Sequence, residues 1–147
     1  MLRTTITHPE ALAALARAGH GSLLLVADAH FASATALGPN AATIHAALAP
    51  GAPLVPEVAR LLATTLAIEE VMTMEAPDAG LARAGRESTA AVRDATAAQE
   101  VPHTALARDE FFAHCSSRSL ALCIVSGDRR RFANLLLRVG VTDPEPA

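Results

Sequence analysis

Two short, unbroken aliphatic runs constrain this chain more than anything else in it. Leu23-Leu24-Leu25-Val26-Ala27 lies between Gly21-Ser22 and Asp28, and Leu120-Ala121-Leu122-Cys123-Ile124-Val125 is followed by the turn-forming Ser126-Gly127-Asp128. Such runs are short for helices and fall far below the ~20 residues that cross a bilayer, so no membrane association is expected. A strand that is apolar throughout must be covered on both faces, the situation of a mainly parallel sheet flanked by helices. The chain is therefore expected to be an α/β protein.

The remaining signals fit around these strands. Thr7 and Glu10 have capping-box spacing with Pro9 in the first turn, which predicts a helix to about Ala18, with Gly19 supplying a left-handed end. Phe31 to Thr43 reads as a loop, Ile44 to Leu48 as a short strand or turn, and Pro56 opens a helix to about Leu62. Leu66 to Met74 reads as a strand, and Asp78 to about Gln99 as a surface helix weakened by Gly80 and Gly85. A short strand is expected at Val101 to Leu106 and a helix at Arg108 to about His114 with Phe111 and Phe112 partly inward. Asn134 to Val141 is helix or strand. The 147 residues suit a single domain over residues 1–141, with 142–147 as a loose tail.

Composition narrows the function. Half the chain is apolar (51%) but only 3% is aromatic, so the core is aliphatic. Net charge is −3, all twelve basic residues are arginine, and there is no Trp or Tyr, which argues against nucleic acid as a partner. Arg129-Arg130-Arg131 reads as a solvated turn. Cys115 and Cys123 match neither a disulfide framework nor a zinc pattern. Met1 to Pro9 lacks the apolar stretch of a secretory signal, so a cytoplasmic location is expected.

The residues able to carry chemistry gather near the ends of the two apolar runs. His20 stands between Gly19 and Gly21, where a ligand can approach its ring, and imidazole both accepts and gives a proton near neutrality. The same histidine would also serve to cap the preceding helix. Asp28 and His30 follow the first strand at its carboxyl end, where open α/β sheets bind ligands. Asp28 suits hydroxyl recognition, orientation of His20, or a helix cap or turn; His30 suits a second acid/base or packing over the loop. His20, Asp28 and His30 match no metal-ligand spacing, so no metal is expected. Asn134 offers donors and an acceptor for vicinal hydroxyls, or simply a turn, and Arg108 is either a hydroxyl-binding fork or a surface residue.

Taken together, Gly19-His20-Gly21, Val26-Ala27-Asp28-Ala29-His30-Phe31, Val125-Ser126-Gly127-Asp128, Phe132-Ala133-Asn134 and Val139-Gly140-Val141 resemble the ribose pyranase / fucose mutarotase family (RbsD/FucU). The Asp-Ala-His-Phe stretch is nearer the fucose side and Ile44 to Pro53 nearer the ribose side. The resemblance implies an RbsD-like α/β fold and a homo-oligomer, commonly a decameric ring, with the monosaccharide site between neighbouring subunits. It implies isomerisation without a cofactor: L-fucose-like α/β anomers or D-ribose-like pyranose and furanose forms. His20 would be the proton donor, and Asp28, Arg108, Phe132 and Asn134 would bind substrate. Phe132 departs from the family, which carries a tyrosine there; that leaves a non-catalytic sugar-binding protein of the same fold as the alternative function.

Overall fold

The two aliphatic runs pair with each other. They form β1 (Leu23–Ala27) and β5 (Leu120–Val125), parallel neighbours in which Leu24 faces Leu122 and Ala27 faces Val125. The computed structural model describes residues 1–96 and 100–143, so part of the expected third helix (97–99) and of the tail (144–147) lies outside the described residues. Around that pair the chain adds β2 (Ala42–His45), β3 (Ile68–Met74), β4 (His103–Leu106) and β6 (Leu135–Val139) in the order β2-β5-β1-β6-β3-β4. Only β6 runs against the others, antiparallel to both β1 and β3. The segment after Asn134 is thus a strand, and the sheet is mainly parallel as expected.

Alternation along β1 sends side chains to two separate cores. Leu24 and Val26 pack with α1 (Pro9–Arg17), α2 (Val55–Ala63) and α3 (Arg83–Ala95). Leu23, Leu25 and Ala27 pack with Phe111 and Cys115 of α4 (Arg108–Cys115) and with Phe31 of the loop that follows β1. Both faces of β1 are sealed, which is why all five of its residues are apolar. Cys115 and Cys123 are free and buried in the second core, which pushes both thiols up to about 12 and leaves them as unreactive packing groups.

Several local expectations give way to tertiary context. His8, not Thr7, caps α1, its Nδ1 accepting from the Ala11 N–H at 3.4 Å. The left-handed residue before β1 is Gly21 (φ 80°) rather than Gly19. The third helix starts at Arg83, after Gly80, and is no surface helix: Ala84, Gly85, Ser88 and Val92 are buried. The segment Ile44 to Leu48, expected as a short strand or turn, is strand only to His45, and that strand begins at Ala42, inside the expected loop.

The three-arginine run is also not uniformly solvated. Arg130 turns inward onto Asp128, Nε donating to Oδ1 at 2.9 Å and Nη2 to Oδ2 at 2.7 Å, and its Nη1 reaches Glu87 of α3. Asp128 is fully buried and also accepts from the Val55 N–H at the start of α2. Two ends of the fold are therefore tied to the turn that follows β5. Burial pushes the Asp128 carboxyl up, but the Arg130 side chain and the backbone donors of Arg130 and Val55 outweigh it, and the net displacement is below the ordinary 3.8.

Two outcomes follow. A carboxyl displaced downward on folding adds stability that is present above its unfolded value and is lost as pH falls through its folded one. Asp128→Asn should cost about 3 kcal/mol at neutral pH and should flatten the acid limb of stability, measured as urea midpoints from pH 7 down to pH 3. An unchanged acid limb would refute the assignment. Second, a Cβ on Gly38 would stand 1.9 Å from the Ser117 carbonyl oxygen, whereas one on Gly19 would meet nothing within 4 Å. Gly38→Ala should lose about 1–3 kcal/mol and Gly19→Ala less than about 0.5 kcal/mol in the same assay; equal midpoints would contradict the packing.

Candidate functional site

The carboxyl end of β1 meets the start of β6 through one pair of side chains. Asn134 Oδ1 accepts from the Asp28 backbone N–H at 2.8 Å, and its Nδ2 donates to Asp28 Oδ2 at 2.8 Å. The His30 N–H donates to Asp28 Oδ1 at 2.9 Å. Asp28 is 4% exposed, and burial raises its carboxyl above the usual range even though the His30 N–H and the neighbouring imidazole pull the other way. A carboxylate has about four acceptor positions. Two are taken here, so both oxygens keep a lone pair for a ligand.

That carboxylate lies on the wall of a cavity of about 540 Å³, a size that suits a small molecule. Arg108, at the first position of α4, borders the same cavity with its guanidinium carbon 4.9 Å from the Phe112 ring centroid and Nη1 3.9 Å from Met74 Sδ. Phe112 in turn stacks on Phe31, centroids 5.5 Å apart and planes 6° from parallel. The arginine is thus held over the ring, and its N–H groups other than that on Met74 remain for a ligand. Phe132 lines the cavity with φ at 60°, a left-handed conformation rare for a bulky residue. The Arg130 latch before it and the buried Ala133-Asn134 after it hold it there.

Asp28, Arg108, Phe132 and Asn134 therefore line one cavity. His20 does not join them. It precedes β1, at the opposite edge of the sheet, and the five residues of β1 alone span about 16 Å. Its ring borders a different recess of about 580 Å³, is 61% exposed and donates from Nε2 to Glu69 Oε2 at 2.9 Å. Glu69 falls where the β3–β6 register shifts between Ile68 and Glu70. An irregularity of this kind re-aims a side chain out of the strand's alternation. His30 lines the Asp28 cavity, its Nε2 donating to the Arg129 carbonyl at 3.2 Å.

Sequence reasoning missed Phe31, Met74, Phe112 and Arg131 as residues lining the cavity and Glu69 as the partner of His20. Phe31 lay inside the Asp28 motif and Arg131 inside the arginine run, so both were within sight. Glu69 and Met74 carried no local signal, because only strand register brings them to their positions. Among the described residues no group of three or more His, Cys, Asp or Glu is placed to hold a metal ion, and no helix is long and apolar enough to cross a membrane.

Solved structures share this fold. The Bacillus subtilis RbsD complexed with D-ribose is 23% identical, with a TM-score of 0.74 over 97% of this chain and 100% of that one. The Streptococcus pneumoniae fucose mutarotase in complex with L-fucose is 19% identical, with a TM-score of 0.73 over 97% and 100%. FucU from Bifidobacterium longum is 24% identical, with a TM-score of 0.68 over 95% and 100%. No curated protein matches the sequence significantly. The sequence model of the RbsD / FucU transport protein family matches residues 1–142, and the chain belongs to that family.

Proposed function

We propose that the protein is a cofactor-independent monosaccharide mutarotase that opens and recloses the sugar ring by acid/base catalysis. The observation that carries this reading is the buried Asp28 carboxylate, locked by Asn134 on the wall of a cavity shared with the Arg108 fork and an aromatic face. Carboxylate, amide and guanidinium edges together match the alternating donors and acceptors of vicinal hydroxyls, and an aromatic face suits the C–H surface of a sugar ring.

In the reaction the anomeric hydroxyl loses its proton to water while the bond between the anomeric carbon and the ring oxygen breaks. The electron pair passes to the ring oxygen, which takes a proton from His20. Closure on the other face of the aldehyde, or through a different hydroxyl, returns both protons and leaves a new anomer or ring size. Nothing is oxidised or reduced. Glu69 accepts from the His20 ring and fixes the orientation of the imidazole. Asp28, Arg108, Asn134 and Phe132 hold the sugar.

The distance along β1 exceeds the width of a monosaccharide, so His20 and Asp28 of one copy cannot serve the same molecule. The site is completed by His20 of a neighbouring copy, a head-to-tail contact that closes into a ring. A ring of this kind suits the homo-oligomer, commonly decameric, that the resemblance implies. An L-fucose-like 6-deoxyhexose and a D-ribose-like pentose are the two substrate candidates. A cytoplasmic setting suits either.

Magnetisation exchange by NMR between the ring forms of pentoses and 6-deoxyhexoses tests the reading. Wild type should accelerate exchange for at least one sugar, and His20→Ala should lose about 10²–10⁴ of that acceleration while still binding. No acceleration over buffer for any sugar would remove the enzymatic reading. Phe132, which lacks the hydroxyl of the family's tyrosine, favours a second reading: sugar binding without useful catalysis. Phe132→Tyr discriminates the two. A rate gain of about tenfold or more at unchanged affinity would mark a site that binds but has lost turnover; an unchanged rate in an already active enzyme would show that the phenol is dispensable.

A further inference from the structure

Ring opening as set out above leaves one proton without a protein group to receive it, because the anomeric hydroxyl gives it to water. Among the described residues that line the Asp28 cavity, the ionisable side chains are Asp28, His30, Arg108 and Arg131. A guanidinium stays protonated and accepts nothing. Asp28 is buried and both its oxygens already accept, from the Asn134 amide and the His30 N–H, which makes it a fixed anchor for hydroxyls. Imidazole remains, the side chain that most readily takes up and returns a proton near neutrality.

The fold holds His30 in place and sets which of its ring nitrogens is free. Its backbone N–H donates to Asp28 Oδ1 at 2.9 Å. The residues on either side are tied as well, the Ala29 N–H to the Asp128 carbonyl at 2.7 Å and the Phe31 N–H to the Asp28 carbonyl at 3.2 Å. The ring donates from Nε2 to the Arg129 carbonyl at 3.2 Å. A carbonyl oxygen can only accept, so the neutral ring carries its hydrogen on Nε2 and a lone pair on Nδ1. Within the described residues no hydrogen bond occupies that Nδ1. The bond to Asp28 comes from the backbone, so exchanging the imidazole leaves Asp28 its donor.

We infer that His30 is the general base of ring opening, its Nδ1 receiving the proton of the anomeric hydroxyl through one water. The inference rests on the mutarotase reading, with His20 as the acid. As the bond between the anomeric carbon and the ring oxygen breaks, the hydroxyl proton passes to water and a proton of that water passes to Nδ1. The ring oxygen keeps the electron pair and takes the proton of His20. On closure the His30 imidazolium returns a proton through water to the aldehyde oxygen, and His20 recovers its own from the attacking hydroxyl. Both histidines end the cycle as they began it.

The test combines exchange NMR at saturating pentose or 6-deoxyhexose, calorimetric affinity for the same sugars, and nitrogen-15 NMR of the His30 ring in the full-length protein. His30→Gln, checked for folding by its melting curve, should lose about a hundredfold in saturated exchange rate while its affinity stays within about twofold. Imidazole added to His30→Ala should restore part of the rate, beyond its effect on wild type and on buffer alone, which a merely structural histidine would not allow. The ring signals, assigned by their loss in His30→Gln, should show hydrogen on Nε2 and none on Nδ1. A full saturated rate in His30→Gln, with or without weaker binding, or hydrogen on Nδ1 of the neutral ring, would overturn the base while leaving the mutarotase reading in place. Wild type that speeds no sugar's exchange would remove that reading and the base with it, so the two failures are distinguishable.

Discussion

The closed pair between Asp28 and Asn134 is the constraint from which the cavity follows. Residues 106 positions apart exchange a backbone-to-amide bond and an amide-to-carboxylate bond. This joins the carboxyl end of β1 to the start of the antiparallel β6. A buried carboxylate is expensive unless its oxygens are satisfied, so its partners must be placed accurately. The neighbouring Asp128–Arg130–Glu87 latch supplies that accuracy from the other side, tying the turn after β5 to α2 and α3 and holding Phe132 in its left-handed conformation. Polar side chains here are structural and site-forming at once.

The same architecture keeps His20 away from the cavity. β1 is a rigid, fully buried spacer with one set of polar groups at each end. No rotamer change carries an imidazole along its length. In the proposed function the Asp28 cavity and the His20 recess are two half-sites on one chain, and each copy lends one half to a neighbour on either side. Catalysis would then depend on assembly, with the subunit contact acting as the device that brings acid and substrate together.

Much of this was legible in the chain itself. The aliphatic runs announced buried parallel strands because nothing but coverage on both faces tolerates five consecutive apolar residues with turn formers at each end. Asp28 was readable as a strand-end residue and Ser126-Gly127-Asp128 as a turn after the second buried strand, whereas Asn134 stood at the head of a segment that read as helix or strand. Local readings failed where a neighbour distant in sequence decided the outcome. Arg130 looked solvated until Asp128 and Glu87 turned it inward, and His8 took the cap expected of Thr7. The third helix gained a buried face because Gly85 packs against Thr73 of β3.

The amino-acid sequence by itself determined the fold class, the aliphatic double core and the residue types available for chemistry, because hydrophobic periodicity and turn chemistry are local properties of the chain. Tertiary structure alone decided which of those residues share a cavity. Register placed Glu69 beside His20 and Met74 beneath Arg108, and the direction of β6 brought Asn134 onto Asp28. The length of β1 set His20 apart from Asp28, for the physical reason that an extended strand carries its two ends to opposite edges of the sheet.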